Sequence, residues 1–268
     1  MTRIARLAGG ALAKPLGDLD QGAGINSGLI WCLGSHPVGS PLLGVELVSR
    51  DSGTLGGTAA FDATHPDEAT WRGLDLKAFD DYYLLDHPAA FDAALDGADE
   101  YTALMYCAAS SGEDFGTFYS IPYFDDSWSA PFTSFRLRRG APGNATHAAT
   151  HIWSDSSTNR AFTMVDGGSE GDMWYPDSNP HMIGNARNGS THRFYADGSE
   201  QHSETSVTGG VIDFNATGSS KMVIGTTNDQ ALQESLIMEV YFFAVWDREL
   251  SSSEISSLDS DPTQMFIT

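Results

Sequence analysis

Between Leu236 and Leu258 the chain permits few architectures. The run LIMEVYFFAVW places Leu236, Met238, Val240, Phe242, Ala244 and Trp246 on one face at period two, the signature of a strand with a buried face. The other face holds Ile237, Glu239, Tyr241, Phe243 and Val245, with a single carboxylate. That face is apolar enough to need a cover of its own: a helix, a loop or another chain. Asp247-Arg248 turns the chain. Ser251 and Glu254 then form a capping box, in which each side chain satisfies the other residue's backbone amide. Leu250 and Ile255 flank that cap at staple positions. The spacing predicts a short helix over 252–258, stopped at Asp261 because the residue before Pro262 avoids helical geometry.

Strand, W-D-R-E-L-S, E-I and a leucine together resemble the closing motif of the laminin-G-like, concanavalin A-like jelly-roll family. The residues that carry the likeness are Trp246, Leu250, Ser251, Glu254, Ile255 and Leu258. Further upstream, G-L-I at 28–30, D-S-G-T-L-G at 51–56, W-x-G-L-x-L at 71–76 and D-D-Y-Y at 80–83 are similar to the opening of stand-alone members encoded by tailed bacteriophages. RFYADG at 193–198 and KMVIG at 221–225 fit the family's later strands, so the likeness spans roughly residues 26–260. It implies an all-β, antiparallel jelly-roll β-sandwich with one short C-terminal helix. It also implies a virion protein made in the host cytoplasm, either a head decoration or a tail component, that assembles with itself and with other virion proteins.

The strand pattern gives the same fold class independently. Short apolar runs, among them Glu100–Ala109, Phe115–Phe124, Thr133–Arg139, Ala149–Ser154 and Ala161–Val165, are punctuated by Gly, Asn, Asp and Ser, as in antiparallel sandwiches. Asn188-Gly189 and Asp197-Gly198 are hairpin turn signals. No repeat or linker divides the chain. The expected organisation is an arm over residues 1–24 and a sandwich over 25–268.

Charge excludes some partners. The 268 residues carry 36 acidic and 14 basic side chains, a net charge of −22. A nucleic-acid backbone demands the opposite balance, and so does an anionic membrane surface. No apolar run is long enough to span a bilayer. MTRIARLAGGALA has too short an apolar middle for a signal peptide, which favours a protein folded in the cytoplasm. Cys32 and Cys107 sit in apolar strands and read as buried thiols, with a disulfide as the alternative if their backbones meet.

No catalytic motif emerges. Glycosidases of related sandwiches alternate carboxylates as E-x-D-x-E along one strand, and here Glu239 stands alone. Asp80/Asp81 and Asp125/Asp126 read as solvated turn carboxylates. The chain is therefore expected not to be an enzyme and to need no cofactor. Calcium needs converging oxygen ligands, and the loop GDMWYPDSNPH offers Asp172, Asp177 and Asn179. Sugars stack on exposed loop aromatics, which makes Trp128, Trp174 and Tyr175 candidates for glycan contact. The alternative function is then a stand-alone carbohydrate-binding, lectin-like module. Trp31, Trp71 and Trp246 read as core. The arm carries Arg3, Arg6 and Lys14 with Ile4, Leu7, Leu12 and Leu16. Its charge opposes that of the body, so it reads as an assembly element.

Overall fold

The computed structural model describes residues 18–20, 22–48, 50, 52–86, 93–95, 97–109, 116–121, 135–139, 150–154, 159–163, 178–205, 221–226 and 235–266. The strands are β1 (Leu29–Gly34), β2 (His36–Pro37), β3 (Thr54–Gly56), β4 (Ala60–Thr64), β5 (Trp71–Leu76), β6 (Tyr82–Asp86), β7 (Glu100–Ala109), β8 (Gly116–Ile121), β9 (Phe135–Arg139), β10 (Thr150–Ser154), β11 (Asn159–Thr163), β12 (His181–Asn188), β13 (Thr191–Ala196), β14 (Ser199–Glu204), β15 (Lys221–Ile224) and β16 (Met238–Trp246). Helix α1 (Ser252–Ser260) follows.

Pairing is antiparallel throughout the described strands. A large sheet runs β14-β13-β12-β7-β16-β5-β2, with β1 beside β16 and β4 beside β5. A second sheet runs β3-β6-β15-β8-β9. The two form the expected β-sandwich. Leu74, Leu76, Met105, Cys107, Ile183, Phe194 and Phe243 of the large sheet share one core with Tyr83, Leu85, Phe118, Met222 and Ile224 of the other. Tyr119 stacks on Phe243 across the gap at 4.4 Å. Both hairpin signals are realised: Asn188 faces Thr191 in register, and Ala196 faces Ser199. Asp197 and Gly198 take the positive φ that this tight turn requires.

The phase of β16 differs from the sequence reading. Leu236, Met238 and Val240 lie in the inter-sheet core, but Phe242, Ala244 and Trp246 lie on the opposite face. A β-bulge between Val240 and Phe242 inserts one residue and reverses the alternation. At the same point β16 changes its second partner, from β5 (Val240↔Leu74) to β1 (Phe242↔Gly34). The Ser35 hydroxyl donates to the Tyr241 carbonyl at 2.6 Å inside the gap. Gly73 is required there: a Cβ would stand 2.3 Å from the Val240 oxygen.

The outer face of the large sheet carries the second core. Leu104, Met182, Phe242, Ala244 and Trp246 are covered by Ile255 and Leu258 of α1, by Leu19 and Ile25, and by Met265 and Phe266. The cover inferred for the second face of β16 is thus real and comes from the chain itself. The capping box is formed, with Ser251 as N-cap and Glu254 bonded back to it. Of the arm set at residues 1–24 from sequence, residues 18–20 and 22–24 are described and belong to the fold. Leu19 bridges Phe266, the Asp20 amide donates to the Met265 carbonyl at 2.9 Å, and the Trp246 indole donates to the Ile25 carbonyl at 2.8 Å. Composition hid this because a single large side chain, Leu19, anchors the stretch. Arg3, Ile4, Arg6, Leu7, Leu12, Lys14 and Leu16 lie outside the described residues.

Cys32 and Cys107 are free and buried. They lie on opposite faces of the large sheet, Cys32 in the outer core and Cys107 in the inter-sheet core. Asp81 corrects the reading of solvated turn carboxylates. It is fully buried and accepts from the amides of Lys77 at 2.6 Å and Ala78 at 2.9 Å, and from the Thr58 hydroxyl at 3.0 Å. It therefore ties the β5–β6 turn to the loop after β3. Asp80 beside it is exposed, as expected. Asp125 and Asp126 lie outside the described residues.

Candidate functional site: a polar cleft beside the C-terminal helix

The outward alternation of β13 sets the first wall. Phe194 and Ala196 point into the inter-sheet core, so Arg193 and Tyr195 face outward on the side of α1. Glu200 of β14 stands opposite Tyr195 across a bulge. The second wall is the D-R-E-L turn between β16 and α1. Thr102 pins this turn: its hydroxyl donates to the Arg248 carbonyl at 2.9 Å and accepts the Leu250 amide at 2.8 Å. Between the walls lies a cleft of about 440 Å³, inside the range of small-ligand sites.

Its lining is polar and its geometry is fixed by ion pairs. Arg193 binds Glu200 at 3.2 Å and also binds Glu249. Asn188 donates to the other Glu249 oxygen at 2.9 Å. Arg248 holds Glu254 through two bonds of 2.7 and 3.1 Å. These bonds to Arg248 come first in lowering the Glu254 carboxyl to about 2, and the bonds from Ser251 add to them. Tyr195 is a buried ring at the base, and burial raises its phenol. Ser251 and Ser252 supply hydroxyls at the rim. Acceptors, donors and hydroxyls thus converge on one concave space, which suits a polyhydroxylated ligand. The Glu254 carboxyl carries no proton at neutral pH. Glu200 and Glu249 are both engaged by Arg193.

Trp128, Trp174, Tyr175, Asp172 and Asp177 lie outside the described residues. Asn179 is exposed beside Ser178, which has φ +67°. Among the described residues no group of three or more His, Cys, Asp or Glu is placed to hold a metal ion. Arg193, Glu200 and Glu249 were not singled out from sequence. The available signal was a rare cation at an outward position of a strand in a very acidic chain.

No protein-family model matches the sequence, and no curated protein does. Solved structures share the fold. The botulinum neurotoxin serotype D binding domain aligns with a TM-score of 0.62 and 12% identity, over 90% of this chain and 52% of that one. The serotype D ligand binding domain in complex with N-acetylneuraminic acid gives 0.62 and 12%, over 89% and 52%. The binding domain of neurotoxin DC in complex with rat synaptotagmin II gives 0.59 and 10%, over 88% and 52%. The chain spans about half the length of these structures, and at such identity the likeness is one of fold.

Proposed function

We propose that this protein is a non-catalytic recognition module that binds neutral carbohydrate in the cleft between β13, β14 and the start of α1. The observation that carries the reading is the convergence of Arg193, Glu200, Glu249 and the Ser251 and Ser252 hydroxyls on one open concavity. Fixed ion pairs orient these groups without ligand, so little ordering is required on binding. The fold neighbours support a binding role, since one was solved with N-acetylneuraminic acid and another with synaptotagmin II. The ligand class differs here on electrostatic grounds. Three carboxylates and one guanidinium line the cleft, which disfavours an acidic sugar. The further assignment, to the particle of a tailed phage as a head decoration or tail component with itself and other virion proteins as partners, rests on the resemblance of the closing and opening motifs. Detecting the protein by mass spectrometry in purified particles tests it, and its absence there leaves the lectin-like module.

A glycan array followed by calorimetry tests the cleft. Neutral oligosaccharides should bind and sialylated ones should not. Arg193→Ala should weaken binding by about tenfold or more, as loss of charge-assisted hydrogen bonds does, with the fold retained by circular dichroism. Binding unaffected by Arg193→Ala would refute the site. Turnover of laminarin, agar or alginate, abolished by one Asp or Glu substitution, would overturn the non-catalytic reading. The same titration in EDTA should be unchanged; a loss would show that binding needs a metal ion, for which Asp172, Asp177 and Asn179 are the sequence candidates.

A further inference from the structure

We propose that Asn188 is a spontaneous deamidation site, and that its conversion to an acid displaces Glu249 from the wall of the cleft. The hairpin itself creates the labile pair. Asn188 and Thr191 close a two-residue loop, and Gly189 at its first position has φ +57°, where such loops take glycine. The residue after Asn188 is therefore the one that shields its own nitrogen least. Only the Asp99 carboxylate, at 4.0 Å, comes near the place a Cβ would take. Asn188 is exposed, and this is the only Asn-Gly step in the chain. Asn185, Asn179 and Asn26 are worse placed. Asn185 is fully buried. Asn179 precedes Pro180, which has no N–H to lose. The Asn26 amide donates to the Asp20 and Met265 carbonyls, each at 2.9 Å.

The reaction needs only water and base. The Gly189 nitrogen gives its proton to solvent base and attacks Asn188 Cγ. A C–N bond forms there, the bond to the side-chain nitrogen breaks, and ammonia leaves with a proton returned by solvent. Water then opens the cyclic imide at either carbonyl, to aspartate or isoaspartate. Two hydrogen bonds restrain the first step in the folded protein. The Gly189 amide donates to the Asp99 carbonyl at 2.9 Å, and the Asn188 side chain donates to Glu249 at 2.9 Å. The second bond is also where the product acts. Arg193 holds one oxygen of Glu249 and Asn188 holds the other. A carboxylate at position 188 has no proton to give and meets Glu249 as a like charge at hydrogen-bond distance. Isoaspartate also lengthens the main chain by a methylene at a residue paired with both Glu100 and Thr191. The effect on affinity rests on the carbohydrate reading of the cleft; the modification does not.

Peptide mapping by mass spectrometry of the full chain, held for weeks in mildly alkaline buffer, tests the site. Aspartate and isoaspartate should accumulate at Asn188 ahead of every other asparagine. Glu249→Ala, with its fold verified by circular dichroism, should speed this by roughly tenfold, the worth of a lost hydrogen bond to a charged group. Conversion led by another asparagine, or a rate unchanged in Glu249→Ala, would overturn the site. Asn188→Asp reproduces the product, and Asn188→Ala removes the donor without adding charge. Asn188→Asp should melt below Asn188→Ala at low salt, with the gap narrowing in 1 M NaCl, where the screening length is about 3 Å. It should also bind a neutral oligosaccharide at least about threefold more weakly than Asn188→Ala, as juxtaposed like charges weaken a site. Equal melting of the two variants, or equal affinity where the parent binds, contradicts the displacement of Glu249. A parent protein that binds no neutral oligosaccharide sinks the carbohydrate reading instead, and the mapping and melting results still decide this one.

Discussion

Two halves of one sheet face meet at Tyr241. On one side Leu104, Phe242, Ala244 and Trp246 are sealed by α1 and the segments at both ends of the domain. On the other side Ala108 and Tyr241 are buried in a separate small cluster with Ala63, and Tyr106, Glu239 and Asp75 are half-buried. The same strands, β7 and β16, build both halves. The difference arises from one extra residue, which reverses the alternation of β16 at the point where its neighbour changes from β5 to β1. A strand with apolar residues on both faces can take such a shift without exposing its core. The outer face then joins the second core only where the later chain returns to cover it.

Breaking the sealed half should have the largest effect. Trp246 is fully buried, and Trp246→Ala should cost about 3–5 kcal/mol in denaturant melts. Gly73→Ala attacks the border itself. Its Cβ would press on the Val240 carbonyl, so a loss of about 1–3 kcal/mol is expected from overpacking; a neutral result would mean that the bulge does not need this contact. Ser251→Ala removes the cap that starts the covering helix and should cost about 1 kcal/mol.

pH separates the halves by sign. Glu254, on the covered side, is lowered from 4.5 to about 2. Its contribution is present above its ordinary value and is lost as pH falls toward 2. Asp75, half-buried on the other side, is raised from 3.8 to about 6. Its contribution is full below its ordinary value and is lost as pH rises through 6. Asp75→Asn should therefore melt above the parent protein at pH 7.5, and the gap should close at pH 3.5. The smallest effect belongs to the half-buried rim, where Glu239→Gln should stay within about 0.5 kcal/mol of the parent.

Local signals were legible in the sequence and tertiary ones were not. The cap at Ser251, the staple of Leu250 and Ile255, and both hairpins depend on neighbours within a few residues. The bulge depends on Ser35 and Gly73, which lie 206 and 168 residues before Tyr241. Apolar residues on both faces of β16 left no visible fault in its alternation. Asp81 read as solvated because its donors on Thr58 come from another strand's loop. The cleft was hidden for the same reason: Arg193 and Glu249 are 56 positions apart, and only the packing of α1 against the β13–β14 hairpin joins them.

The central claim is that the cleft, and not the Tyr106–Tyr241 pair beside the bulge, receives carbohydrate. Hydroxyl-radical footprinting with and without a neutral oligosaccharide selected on the array tests it most directly. The account predicts protection of residues 193–200 and 249–254, with Tyr106 and Tyr241 unchanged. Protection at Tyr106 and Tyr241 with the cleft unaltered would contradict it.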